Sequence, residues 1–202
     1  MDLATLQKIS IQILSREVPT YKRYLYSKID FNSKLIGIKG ARGAGKSTIL
    51  LQYAKSLDYP ISKILYVSCD HPAMSGESLY DIAEAFYARG GKLFIIDEIH
   101  KNEHFSKDLK AIYDVFDLQV LFSGSSALQI ENSLADLSRR AVIHTLGVLS
   151  LREFCELQTN ETFQSYTLEE ILQNHEDIAF QILRHIRPLE QFNNYLKYGC
   201  YP

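Results

Sequence analysis

Apolar residues along this chain gather into short runs separated by polar, helix-like stretches, and the alternation is regular between residues 35 and 146. LIGIK (35–39), KILYVS (63–68), KLFII (92–96), QVLFS (119–123) and AVIHTL (141–146) are continuous apolar runs of strand length. Such runs mark strands buried on both faces. Between them the period becomes that of a helix. Ile49, Leu50, Tyr53, Ala54 and Leu57 share one face, as do Phe105, Leu109, Ile112, Tyr113 and Phe116. Ser78 to Ala88 reads as a further helix, stopped by Gly90-Gly91. Strands alternating with helices at this spacing predict parallel βαβ units: an α/β sheet covered on both faces, with right-handed crossovers.

The flanks read differently. Residues 5–29 mix apolar positions with Lys22, Arg23 and Lys28, and Pro19 interrupts them, which predicts two short helical pieces. After residue 150 the strand signals cease. Ser150 with Glu153 and Thr167 with Glu170 have capping-box spacing, each opening an apolar-periodic segment. The second segment carries Leu168, Ile171, Leu172, Ile178, Ile182, Leu183 and Ile186 on one face. The expected organisation is a helical lead-in (1–32), an α/β core (33–150) and a helical region (151–202).

Composition narrows the class. A length of 202 residues suits one globular domain with a small appendage. Twenty-two Lys and Arg stand against 24 Asp and Glu, a formal charge of -2, without the basic excess of a dedicated nucleic-acid or membrane-surface binder. No uncharged apolar stretch approaches the roughly 20 residues that cross a bilayer. Cys69, Cys155 and Cys200 are odd in number and far apart, which argues against a disulfide framework. A cytoplasmic protein with no membrane partner is expected.

The chemistry is concentrated in a few motifs. GARGAGKS (40–47) fits G-x-x-x-x-G-K-[ST] and stands between a strand and an amphipathic helix, the context that pattern requires. Gly40, Gly43 and Gly45 let successive N–H groups turn inward onto a polyphosphate, with Ala41, Arg42 and Ala44 between them. The following helix starts near Lys46 and adds its positive end, with Thr48 in its first turn. Lys46 can reach the β- and γ-phosphates, and the Ser47 hydroxyl can ligand Mg²⁺.

LFIIDE (93–98) is a buried-strand pattern ending in two carboxylates. Asp97 is placed to hold Mg²⁺ and Glu98 to orient or deprotonate an attacking water. A polar group at the end of the fourth strand can touch the γ-phosphate or that water, which makes Ser123 and Ser125 candidates. Arg139 and Arg140 are candidates for an arginine that stabilises transition-state charge, in cis or from a neighbouring subunit. The competing reading of that pair is a surface salt bridge. His100-Lys101-Asn102-Glu103-His104 also matches H-x-x-E-H, a zinc pattern that needs both histidines on one face of a continuous helix. Its position directly after a strand favours a polar loop.

No N-K-x-D guanine-reading motif follows the acidic strand, and LSGGQ is absent. From about residue 15 onward the chain resembles the AAA+ superfamily, in particular the bacterial and archaeal ATPases often described only as ATP-binding proteins. The resemblance rests on GARGAGKSTILLQYA (40–54), ILYVSCD (64–70), LFIIDEIHK (93–101), LFSGSSALQI (121–130), LSRRAVIHTLGVLSLREF (137–154) and YLKYGCYP (195–202), in family order. It implies a three-layer αβα P-loop fold with five parallel strands in the order 5-1-4-3-2, followed by a small helical lid. It also implies a sensor at the Gly124-Ser125-Ser126 turn. Arg140 matches the arginine of the family's L-x-G-R segment, with Arg139 in place of the glycine. Similar proteins continue into a C-terminal domain, so the resemblance implies an ATPase module without that region. The expected activity is hydrolysis of ATP to ADP and phosphate with Mg²⁺, slow in isolation. The alternative is a nucleotide-dependent switch or DNA-transaction helper with little turnover. A homo-oligomer or a regulatory protein partner is left open, and nucleic acid is undecided.

Overall fold

The five apolar runs form five strands: β1 (Leu35–Gly40), β2 (Ile64–Ser68), β3 (Leu93–Asp97), β4 (Gln119–Gly124) and β5 (Val142–Leu146). The computed structural model describes residues 2–125, 137 and 139–202. All the strand pairs are parallel, in the order β2-β3-β4-β1-β5. This is the expected 5-1-4-3-2 order read from the other edge. Helices α1 (Leu3–Leu14), α2 (Lys46–Ser56), α3 (Leu79–Ala88) and α4 (Phe105–Val115) surround the sheet.

Two apolar layers account for the continuous runs. On one face Leu65, Val67, Phe94, Ile96, Val120 and Phe122 pack with Leu79, Phe86, Leu109 and Ile112 from α3 and α4. On the other face Ile36, Ile38, Ile95 and Leu121 pack with Ile49, Leu50 and Tyr53 of α2. Fully burying one such side chain contributes about 1.5–3 kcal/mol, so these two layers contribute much of the fold's stability. Helix α1 shields the edge strand β2, where the buried Ser10 hydroxyl accepts the Tyr66 N–H at 2.8 Å. That bond satisfies a backbone donor which an uncovered edge would leave open.

The lead-in departs from expectation. A single helix ends at Leu14, and the second predicted piece contains only a short 3₁₀ turn at Tyr26–Lys28. The segment instead strings its polar groups onto α2: the Gln52 side chain donates to the Pro19 and Tyr21 carbonyls, both at 2.8 Å. Its apolar residues Leu25, Tyr26, Ile29 and Phe31 pack against the α2 face of the sheet. Tertiary contacts there override a weak helical pattern.

The chain divides into two compact units, Met1–Gly147 and Val148–Pro202. In the second, α5 (Leu151–Thr159) and α6 (Leu168–His185) both open with the capping boxes read from the sequence, Ser150/Glu153 and Thr167/Glu170. Helix α6 carries one non-helical residue, Asn174, and α7 (Pro188–Tyr198) starts with proline in its first turn. The Tyr195 hydroxyl donates to the Leu149 carbonyl at 2.7 Å, and its ring meets Phe154 edge-on.

Strand register brings the site's two ends together, because Gly40 lies opposite Leu146. A Cβ at Gly40 would collide with the Leu146 carbonyl oxygen, whereas one at Gly147 would meet nothing within 4 Å. Gly40→Ala is therefore expected to lose about 1–3 kcal/mol in urea denaturation, and Gly147→Ala far less.

Candidate functional site

The strands are parallel, so their carboxyl ends lie along one edge of the sheet, where ligands of open α/β folds gather. Gly40 at the end of β1 leads into a loop that closes at Gly45, the residue capping α2. Gly43 and Gly45 have φ of 82° and 96°, left-handed angles that a side chain would strain. The Arg23 guanidinium braces this loop from behind. It is buried, and it donates to the Ala44 carbonyl at 2.7 Å and to the Gly147 carbonyl at 3.0 Å. Arg42 is exposed, while Ala44 is fully buried.

Lys46 is only 4% exposed. Its ammonium donates to the Gly40 and Ala41 carbonyls, each at 3.0 Å, and stands 3.9 Å from Glu98 Oε1. A buried cation requires such partners. They fix its position at the loop's mouth.

Side chains alternate along strands, so Tyr66, Asp97 and Ser123 fall on the face covered by α2, which carries Ser47. Four donors from these elements converge on the Asp97 carboxylate. Ser47 Oγ and Tyr66 Oη donate to Oδ2 at 2.7 and 2.6 Å. The Ser123 hydroxyl and the Glu98 N–H donate to Oδ1, the latter at 3.2 Å. Burial, and then the charge on Asp97, raises the Tyr66 pKa and keeps that phenol a donor. A serine hydroxyl beside a carboxylate is a pair of hard oxygen ligands of the kind Mg²⁺ prefers.

Glu98 leaves the strand direction in a left-handed conformation, φ 52° and ψ 43°. For a residue with a Cβ this costs about 1–2 kcal/mol. Its N–H is held by Ser123 Oγ at 3.2 Å, and its carbonyl accepts from Lys101 N at 3.0 Å. The turn aims the carboxylate between Lys46 and His100, whose Nε2 is 3.5 Å away. His100 in turn meets Ser125 Oγ at 3.0 Å. Lys46, Ser47, Asp97, Glu98, Ser123 and Ser125 are thus brought together.

The arginine pair is not. Arg139 and Arg140 precede β5 at the opposite edge of the sheet, about 20 Å along the strand from the level of Gly40. Arg140 forms a two-pronged ion pair with Asp114 at the end of α4, at 2.9 and 3.0 Å. The surface salt bridge weighed in the sequence is what this side chain makes. Ser126 of the sensor turn lies outside the described residues. The zinc pattern fails on geometry: His100 sits in a 3₁₀ turn and His104 caps α4, so no continuous helix carries both.

Sequence reasoning missed Tyr66 and Arg23. Tyr66 reads as an ordinary member of an apolar strand, and Arg23 as one of several basic residues in an irregular segment. Only the strand register and the path of the lead-in reveal them. A cleft of about 640 Å³ also opens between the loops after β2 and β3, lined in part by His71, Met74, Lys101 and His104. Lys46, Ser47, Asp97 and Glu98 do not line it.

Two outcomes follow from this geometry. At Glu98 the usual order of small residues should invert, Glu98→Gly being more stable than Glu98→Ala by about 1 kcal/mol in equilibrium unfolding. The Cys69 thiol is pushed up to about 12 by burial and by the nearby Asp97 and Glu98 charges. It should therefore remain protonated and resist iodoacetamide at pH 8 in the folded protein, labelling only on unfolding, as mass spectrometry would read.

Solved structures and a curated relative resemble this chain to different extents. The S. cerevisiae Hsp104-ADP complex matches 78% of this chain and 24% of its own, with 18% identity and a TM-score of 0.44. AMPPCP-bound DnaA from Aquifex aeolicus matches 95% of this chain and 59% of its own, with 12% identity and a TM-score of 0.43. The uncharacterized protein MJ1637 of Methanocaldococcus jannaschii is 31% identical over 94% of this chain. This chain spans 44% of that relative, less than half its length. The model of a family described as "AAA domain" matches residues 32–155, more than half of the sequence. On that match the chain belongs to the AAA-domain family of P-loop ATPases.

Proposed function

We propose that this domain binds ATP on the Gly40–Ser47 loop and hydrolyses its β–γ phosphoanhydride with Mg²⁺. The observation carrying this reading is the convergence of two pairs at one strand edge. Ser47 Oγ lies 2.7 Å from Asp97 Oδ2, and Lys46 Nζ lies 3.9 Å from Glu98 Oε1. A metal ligand pair and a cation–base pair thus stand side by side, behind a loop shaped to present N–H groups.

The roles follow from position. Loop amides around Gly43 and Gly45 and the start of α2 hold the phosphates. Lys46 reaches the β- and γ-oxygens, exchanging its carbonyl partners for them. Ser47 and Asp97 hold Mg²⁺, which when bound neutralises charge on the phosphate oxygens. Glu98 orients a water and accepts its proton as the water oxygen bonds to the γ-phosphorus and the bridging P–O bond breaks. ADP and phosphate leave. His100 and Ser125 steady the Glu98 carboxylate from the far side.

The location of Arg139 and Arg140 favours a second reading, a nucleotide-dependent switch with little intrinsic turnover. Standing at the opposite sheet edge, neither serves its own loop in cis. An arginine supplied by a second copy of the chain would raise the rate by about 10³-fold or more. Homo-oligomerisation is therefore part of the proposal.

Nucleotide binding and phosphate release, measured separately, test the reading. Lys46→Ala is expected to abolish binding. Glu98→Gln is expected to keep binding and lower turnover about 10²-fold or more. An unchanged rate in Glu98→Gln would remove the glutamate from the mechanism while leaving the binding site standing.

A further inference from the structure

We propose that Tyr66 is a positioning residue for Asp97, fixing the carboxylate oxygen that faces Ser47 and thereby setting how tightly the site holds a divalent cation. The proposal rests on the reading of Ser47 as a direct Mg²⁺ ligand, with Asp97 holding the ion through that hydroxyl and through water. Oδ2 of Asp97 receives two hydroxyl donors, Ser47 at 2.7 Å and Tyr66 at 2.6 Å. By giving its proton to Oδ2, the Ser47 oxygen keeps its lone pairs free for a cation. That arrangement requires Oδ2, rather than Oδ1, to stay turned toward Ser47.

Tyr66 enforces it from the other side. The Ser123 hydroxyl and the Glu98 N–H hold Oδ1, so the four donors together remove the rotation of the carboxylate. Tyr66 is itself anchored at both ends. It is 4% exposed within the apolar layer under α2, and its backbone N–H is tied to Ser10 of α1 at 2.8 Å. A phenylalanine would fill the same apolar layer. The hydroxyl is therefore the part of this side chain that the site uses.

The test is a binding titration on the intact chain with Tyr66→Phe, using N-methylanthraniloyl-ATP fluorescence with EDTA and then with rising Mg²⁺. The metal-free affinity is expected to stay within about twofold. The Mg²⁺ concentration giving half of the metal-dependent gain is expected to rise about tenfold. Ser47→Ala combined with Tyr66→Phe should be non-additive in that midpoint, since both hydroxyls act on one oxygen. Ser10→Ala, which loosens Tyr66 without touching the site, should move the midpoint the same way by a smaller factor. The proposal is overturned if Tyr66→Phe leaves the midpoint in place, or if metal-free binding and melting temperature fall in step with it. A wild-type protein that binds nucleotide with no Mg²⁺ dependence would instead overturn the metal reading, and the Tyr66 role with it.

Discussion

A single carboxylate organises this domain's candidate site. Asp97 is 7% exposed, at the carboxyl end of a strand buried along its whole length. An ionised group in such a place is costly unless hydrogen bonds replace its lost water. Ser47, Tyr66, Ser123 and the Glu98 amide supply them, drawn from α2, β2, β4 and the turn after β3. Each donor therefore also acts as a tie between elements. The parallel sheet determines which residues can meet, and Asp97 is where their polar ends do so.

The turn after Asp97 shows how the same scaffold stores strain. Continuing along the strand would carry the Glu98 side chain away from the loop. The left-handed bend aims it toward Lys46 instead, and Ser123 holds the bend by accepting the Glu98 N–H while donating to Asp97. Strained backbone at such a point is affordable because the apolar layers on both faces of the sheet hold their ends rigidly. Arg23 plays the matching part at the loop, joining the Ala44 and Gly147 carbonyls.

What the sequence revealed follows from the range of the interactions involved. The strands, the helices on either face, both capping boxes and the loop at 40–47 are local patterns, visible in windows of a few residues. The grouping of Lys46 and Ser47 with Asp97 and Glu98 was legible because a parallel sheet brings the carboxyl ends of its strands to one edge, and both motifs stand at strand ends. Tyr66 was not legible, since its meeting with Asp97 depends on the β2–β3 register. Nor was the irregular path of residues 15–31, which is set by hydrogen bonds from Gln52 on a distant helix. Arg140's pairing with Asp114 was likewise not specified by its place in the chain, because it depends on where the end of α4 meets the approach to β5.

The most direct measurement is the melting temperature of the folded protein with and without Mg·ATP. Ligand at about 100 times its Kd adds roughly 2.7 kcal/mol to the stability of the native state. For a chain of this size that corresponds to a rise of about 5–10 °C. A rise of this order is expected in the wild type, and its disappearance when Lys46 is replaced by alanine. An unchanged melting temperature in the wild type, or an equal rise in the Lys46 variant, would contradict the proposed binding site.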